Sequence, residues 1–237
     1  MNNRWPKEID GVSVPYGRPV SDLLSLITGG AWERWAAVPA LAESQDPTAT
    51  SCLANLASSR DEHVRRFVVQ WIGRIERRPE LDHVLLDRLL DTSGAVVRTA
   101  AQVVAIFGIV EAHDQVVGLL KAPSPSTRAE ALRTLEKLWQ HEDFKIVLAL
   151  FRDDPSQEVR RTAGWTLRAT RTAARATTLF DLWRGDPLAR HRTWACEIAA
   201  EFPSQGFLEH VAGLQQDPDG HVRKSARRAV EAIANAV

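Results

Sequence analysis

An arginine returns along this chain at Arg34, Arg65, Arg98, Arg128, Arg160, Arg192 and Arg223, with gaps of 31, 33, 30, 32, 32 and 31 residues by subtraction. A period in the low thirties marks a chain built by stacking one supersecondary unit, because each copy is too short to bury its apolar face except against its neighbours. Two copies share a longer phrase. Asp154-Pro155-Ser156-Gln157-Glu158-Val159-Arg160-Arg161-Thr162-Ala163 and Asp217-Pro218-Asp219-Gly220-His221-Val222-Arg223-Lys224-Ser225-Ala226 agree in register at Asp, Pro, Val, Arg and Ala.

Within a unit the apolar spacing is helical. Val64, Phe67, Val68, Trp71 and Ile72 recur at three- and four-residue steps, behind a shorter run at Leu53 and Leu56. Val84, Leu85, Leu89 and Leu90 precede Val97, Ala101, Val104 and Ile106 in the next unit, and Val116, Val117, Leu119 and Leu120 precede Ala131, Leu132, Leu135 and Leu138 in the one after. Each unit thus reads as helix, tight turn, helix, with prolines such as Pro125, Pro155 and Pro218 at turns or first helical positions, where a missing N–H costs little. The expected fold is all-α, a right-handed α-solenoid of about seven helical hairpins. Its units fall near residues 21–45, 46–78, 79–110, 111–141, 142–172, 173–203 and 204–237. The break between the fifth and sixth is weakly marked, with Thr170 to Thr178 as the expected turn. Residues 1–20 do not fit the repeat: Pro6, Gly11, Pro15, Gly17 and Pro19 interrupt them too often for a helix. They are expected to cap the first unit irregularly, with Trp5 and Tyr16 covering its apolar end, ahead of one solenoid domain over 21–237.

Thirty Lys and Arg balance thirty Asp and Glu, so the molecule as a whole has no field to steer a polyanion. No apolar run approaches the roughly 18–20 residues of a spanning helix, and the first residues lack the apolar core of a secretory leader. A cytoplasmic protein with no membrane partner is expected. Cys52 and Cys196 are several repeats apart and read as small buried hydrophobes rather than a disulfide.

The stretch Val159-Arg160-Arg161-Thr162-Ala163-Gly164-Trp165-Thr166-Leu167-Arg168 behind Asp154-Pro155 resembles the HEAT-repeat motif, in particular the short bacterial variety similar to phycobilin-lyase repeats. The resemblance covers about residues 21–237. It implies antiparallel helix pairs whose second helices line a concave surface, and it implies that Asp154, Asp186 and Asp217 with Arg160, Arg192 and Arg223 link neighbouring units. Such a motif specifies fold and says little about activity.

Side chains of the second helices that are not needed for packing are the candidates for recognition: Arg66, Gln70, Arg133, Arg161, Trp165, Arg168, Lys224 and Arg228. Around the fifth unit Arg160, Arg161, Arg168, Arg171 and Arg175 stand with no acid between Glu158 and Asp181, a basic strip suited to an anionic or acidic partner. Trp165 is the aromatic candidate on it, whereas Trp71, Trp139, Trp183 and Trp194 read as packing. The same strip, with Arg128, is similar to a segment of the HEAT-like alkylpurine DNA glycosylases. However, the acid and tryptophans that family places a unit upstream have no counterpart in Gly94 to Gln102. Without that carboxylate, nothing stabilises a developing cation or activates water. A metal-dependent hydroxylase would need several His-Glu pairs, of which only His141-Glu142 occurs. His63, His191 and His221 recur at turns and read as solvent-exposed. No catalytic residue, metal or cofactor is therefore assigned. The expected function is that of a monomeric, non-enzymatic scaffold or adaptor that binds a protein partner through its concave face. Nucleic-acid binding through Arg128, Arg161, Trp165 and Arg168 is the alternative.

Overall fold

The computed structural model describes residues 6–27 and 31–236, those of 31–34 by backbone alone. Trp5 and the side chain of Arg34 lie outside the described residues. The helices fall into seven successive pairs: α1 (Val20–Ile27) and α2 (Ala31–Glu43), α3 (Pro47–Leu56) and α4 (Glu62–Ile72), α5 (Asp82–Leu89) and α6 (Gly94–Phe107), α7 (His113–Leu119) and α8 (Pro125–Lys137), α9 (Asp143–Asp153) and α10 (Gln157–Ala169), α11 (Ala176–Trp183) and α12 (Ala189–Glu201), and α13 (Leu208–Leu214) and α14 (Gly220–Asn235). The all-α repeat architecture expected from the arginine period is the one observed. The weakly marked turn after α10 falls where Thr170 to Thr178 was expected, a 3₁₀ turn at Ala173–Arg175 leading into α11.

Local chemistry sets many of the helix starts. Asp46, Asp61 and Asp219 are N-caps in extended backbone, their carboxylates accepting from the amides of Thr48, His63 and His221. Ser124 caps α8 with Pro125 in its first turn, where the absent N–H leaves no helical bond unmade.

Two compact units divide the chain, residues 1–163 and 164–237. In the first, the helices of the four hairpins from α1 to α8 pack on their partners, and the second helices α2, α4, α6 and α8 pack one against the next. Their buried faces carry Val64, Val68, Val69 and Ile72, then Val96, Ala100 and Val104, then Leu132 and Leu135. Truncating a fully buried Leu132 to alanine would cost about 2–5 kcal/mol. At the end of α4, Gly73 leaves room for the Val103 side chain of α6, since a Cβ there would lie 2.6 Å from a Val103 methyl. Leu90 and Ile106 were expected in the core and are exposed at 70% and 67%, because each sits at a helix end with nothing to cover it. In the second unit α12 packs against α11 and α14, and α13 against α14.

The described residues ahead of α1 include a short hairpin. Glu8–Ile9 (β1) and Val12–Ser13 (β2) pair antiparallel, joined by Asp10-Gly11 with φ of 49° and 81°. Two central residues at positive φ are the mark of a type I′ turn, for which Asp-Gly is a favoured sequence. The hairpin packs on α2, and Tyr16 donates its hydroxyl to the Pro6 carbonyl.

Candidate partner-binding face

Five of the periodic arginines, Arg65, Arg128, Arg160, Arg192 and Arg223, are occupied by the fold. Arg65 donates Nε and Nη2 to the two oxygens of Asp91 at 2.7 Å each, and Nη1 to the carbonyls of Ser59 and Arg60. Arg128 repeats this with Asp154 and the carbonyls of Ala122 and Pro123, and Arg192 with Asp217 and the carbonyls of Asp186 and Pro187. Each guanidinium thus grips the turn of its own hairpin and, bidentately, the turn aspartate of the next. That aspartate also accepts from the amide two residues on, at Ser93, Ser156 and Asp219. Hydrogen bonds from Arg128 and Arg192 hold the carboxyls of Asp154 and Asp217 below the usual range. Arg160 and Arg223 make the backbone half of the same contact, to the carbonyls of Asp154 and Asp217.

Arg98 is not a member of this series. Aligning Asp91 with Asp217 puts Val97, not Arg98, opposite Arg223. Val97 is buried, and 25 residues on (122 minus 97), where a carboxylate should stand, is Ala122. The irregular gaps of 33 and 30 around Arg98 were the visible trace of this one-residue displacement.

The basic strip is largely neutralised. Arg168 donates Nε and Nη2 to Glu197 at 3.0 and 2.8 Å, and Arg171 donates Nε to Glu201 at 2.6 Å, both acids coming from α12. Arg175 is buried. The acids absent from the local sequence are supplied by the next hairpin. Arg161 remains exposed.

Trp165 is 43% exposed and caps an aromatic cluster in the second unit. Its ring meets Trp194 edge-on at 4.7 Å, and Trp194 in turn meets Trp183 at 5.2 Å and His191 at 4.9 Å. Trp183 and Trp194 are buried, as expected of packing residues. His191 is buried too, contrary to its reading as a solvent-exposed turn histidine, because the indoles enclose it and its Nδ1 lies 3.0 Å from Asp186. Two guanidinium groups flank the exposed ring. Arg168 and Arg190 each lie 5.6 Å from the Trp165 centroid, within cation–π range. Arg190 is exposed and has no carboxylate partner among the described residues. It was missed in the sequence, although it stands at i−4 from Trp194 on the same helix.

In the first unit, Arg66 and Gln70 are exposed on α4 and line one open cleft with Asp10, Trp35, His63 and Phe67. Arg133 is exposed but pairs with Glu130 at 3.1 Å. Lys224 and Arg228 are exposed on α14. The structure therefore groups the expected residues as Arg66 with Gln70 and Trp165 with Arg168, on two separate units.

No thiol is poised for chemistry. Burial, with Asp217 and Glu197 nearby, pushes the Cys196 thiol up to about 12. Cys52 is half-buried rather than buried, beside Leu24 and Ile27. Among the described residues no group of three or more His, Cys, Asp or Glu could hold a metal ion, and no helix is long and apolar enough to cross a membrane.

Residues 21–106 and 103–168 match the HEAT repeats, more than half of the sequence, and the chain belongs to the HEAT-repeat family. No curated protein matches it. Among solved structures it is similar to the HEAT-like repeats protein of Thermococcus onnurineus NA1, at 16% identity over 92% of this chain and 98% of that one, TM-score 0.57. It is also similar to the complex of CpcE and CpcF of phycocyanin lyase from Nostoc sp. PCC7120, at 13% identity over 96% of this chain and 100% of that one, TM-score 0.53. At these identities the likeness is one of fold.

Proposed function

We propose that this HEAT-repeat protein is a non-enzymatic scaffold or adaptor that holds a partner protein on the exposed faces of its second helices. The observation that carries this reading is Trp165, a large aromatic left 43% exposed between two guanidinium groups while its neighbours Trp183 and Trp194 are buried. Tryptophan and arginine are the side chains most enriched where protein interfaces concentrate their energy. A fixed aromatic base under Trp165 also means that little side-chain freedom is lost on binding. The CpcE–CpcF structure is itself a protein–protein complex, which accords with this use of the fold. Free Cys52 and Cys196 accord with a reducing cytoplasm.

The nucleic-acid alternative leans on Arg128, Arg161, Trp165 and Arg168. Arg128 is buried in its pair with Asp154, and Arg168 is bound to Glu197, so two of those four have no free charge for phosphate. The test is affinity capture from the native host with wild-type protein and with Trp165→Ala and Arg190→Glu. Arg190→Glu should stay within about 0.5 kcal/mol of wild-type stability, as surface changes do, Trp165→Ala should lose about 1 kcal/mol or more with its packing on Trp194 yet remain folded, and both should lose the captured protein. Capture that is unchanged by both substitutions removes the reading.

A further inference from the structure

The N-terminal hairpin and α4 together build a cleft. On α4, His63, Arg66, Phe67 and Gln70 fall at i, i+3, i+4 and i+7, one stripe of the helix. Phe67 turns down against Trp35, ring centroids 4.5 Å apart and planes at 89°, and both rings stay half-buried. His63, Arg66 and Gln70 are exposed along α4, and Asp10 from the I′ turn lines the cleft with them. The open cleft has a volume of about 410 Å³, within the roughly 300–1,000 Å³ of pockets that take small ligands or anchor side chains.

Arg66 is the feature that gives this cleft a chemistry. Arg65 beside it has all its outward donors satisfied by Asp91 and two carbonyls. Arg66 has no carboxylate partner among the described residues, although Glu62 stands four residues earlier, the spacing at which a helical ion pair forms most readily. Its fork is left to the cleft, next to an amide at Gln70 and a partly exposed aromatic floor. A planar fork with an apolar surface beside it suits a carboxylate whose neighbouring side chain is apolar. Asp10 selects further. It lies at φ 49° in the two-residue turn and lines the same cleft, and its negative charge is more tolerable to a single carboxylate than to a dianionic phosphate or a nucleic-acid backbone.

We propose that this cleft recognises an acidic–apolar dipeptide in a partner protein. A glutamate or aspartate carboxylate pairs with Arg66, Gln70 donates its amide to the peptide backbone, and the next side chain, apolar or aromatic, rests on Trp35 and Phe67. This rests on the scaffold reading and names a second contact for it, remote in sequence from Trp165.

The test is a titration of isotope-labelled full-length protein with Ac-Glu-Phe-NH2, read at the Trp35 indole N–H and the Arg66 Nε–H by NMR. The expected result is a saturable shift at both. Binding should weaken at least tenfold for Ac-Gln-Phe-NH2 and for the Arg66→Gln variant, and severalfold for Ac-Glu-Ala-NH2. Comparing peptides on unaltered protein keeps the test valid if a variant misfolds. Equal binding of the Glu and Gln peptides, or no shift with either, overturns the proposal. A phosphoserine peptide or a short DNA duplex that binds tenfold tighter at the same resonances overturns it as well, in favour of phosphate. If Trp165→Ala abolishes partner capture while the peptides bind nowhere, the cleft fails and the scaffold stands.

Discussion

A guanidinium offers donors in two directions at once, and Arg65, Arg128 and Arg192 use both, one edge for a neighbour's carboxylate and Nη1 for their own turn. The geometry is the reason lysine would not serve here: a single ammonium cannot meet two carboxylate oxygens in plane and two carbonyls behind. Removing one partner leaves the other charge desolvated, whereas replacing both with apolar groups is often tolerated. Val97 and Ala122 are the protein's own example of the second case. Arg128→Ala should therefore lower stability by about 1–3 kcal/mol. In a double-mutant cycle by urea unfolding, Arg128→Val with Asp154→Ala should cost less than the sum of the single changes by about 1 kcal/mol or more. Additive losses would mean that the pair contributes no coupling.

At the scale of elements, successive hairpins are also joined on the first-helix side. His113 of α7 places Nε2 at 3.0 and 3.1 Å from the two oxygens of Asp143 on α9, and Nδ1 at 3.1 Å from Asp114. Asp143 also accepts from the Gln140 amide. Burial works against the charged imidazole, but the bonds and charges of Asp143 and Asp114 outweigh it and raise the His113 pKa. A raised folded pKa means the contribution is complete below the unfolded value of about 6.5 and is lost as pH climbs through the folded one. His113→Gln should accordingly destabilise the protein more at about pH 5.5 than at about pH 8.5 in paired thermal melts; the reverse order would mean that His113 is neutral when folded. Such joints also explain what could be read in advance. Helices, turns and the hairpin count were legible because caps, prolines and apolar spacing act within a few residues. The partners of Arg168 and Arg171 were not, since Glu197 and Glu201 lie about thirty residues away and only stacking brings them near. His191 looked like its exposed counterparts His63 and His221 because the sequence shows its turn and not the indoles that enclose it. The cleft at Arg66 was half visible: Arg66 and Gln70 follow from helix spacing, while Asp10 reaches them only through a two-residue turn in a stretch read as irregular.

For the molecule as a whole, neutrality is a cancellation between elements. α14 carries Arg223, Lys224, Arg227 and Arg228 against Glu231, and α10 carries Arg160, Arg161 and Arg168 against Glu158. First helices lean the other way, with Asp82 and Asp87 against Arg88 on α5, Asp114 on α7 and Asp181 on α11. The chain as a whole is neutral, and Arg128 and Arg168 are already paired with Asp154 and Glu197, so short duplex DNA should bind weakly at low salt and show little of the steep salt dependence that displaced counterions produce. Tight low-salt binding that collapses by physiological ionic strength would favour the nucleic-acid reading instead. The joint between the third and fourth hairpins differs in one respect from those that Arg65, Arg128 and Arg192 make. Asp154 and Asp217, like Asp91, ionise more readily than free aspartate, so their clasps loosen as acid protonates them, whereas Val97 and Ala122 have no proton to gain. Acidified protein should consequently not come apart evenly: amides along α6 and α8 should be the last to exchange with solvent, leaving an acid-proof seam in the middle of a chain that opens on either side of it.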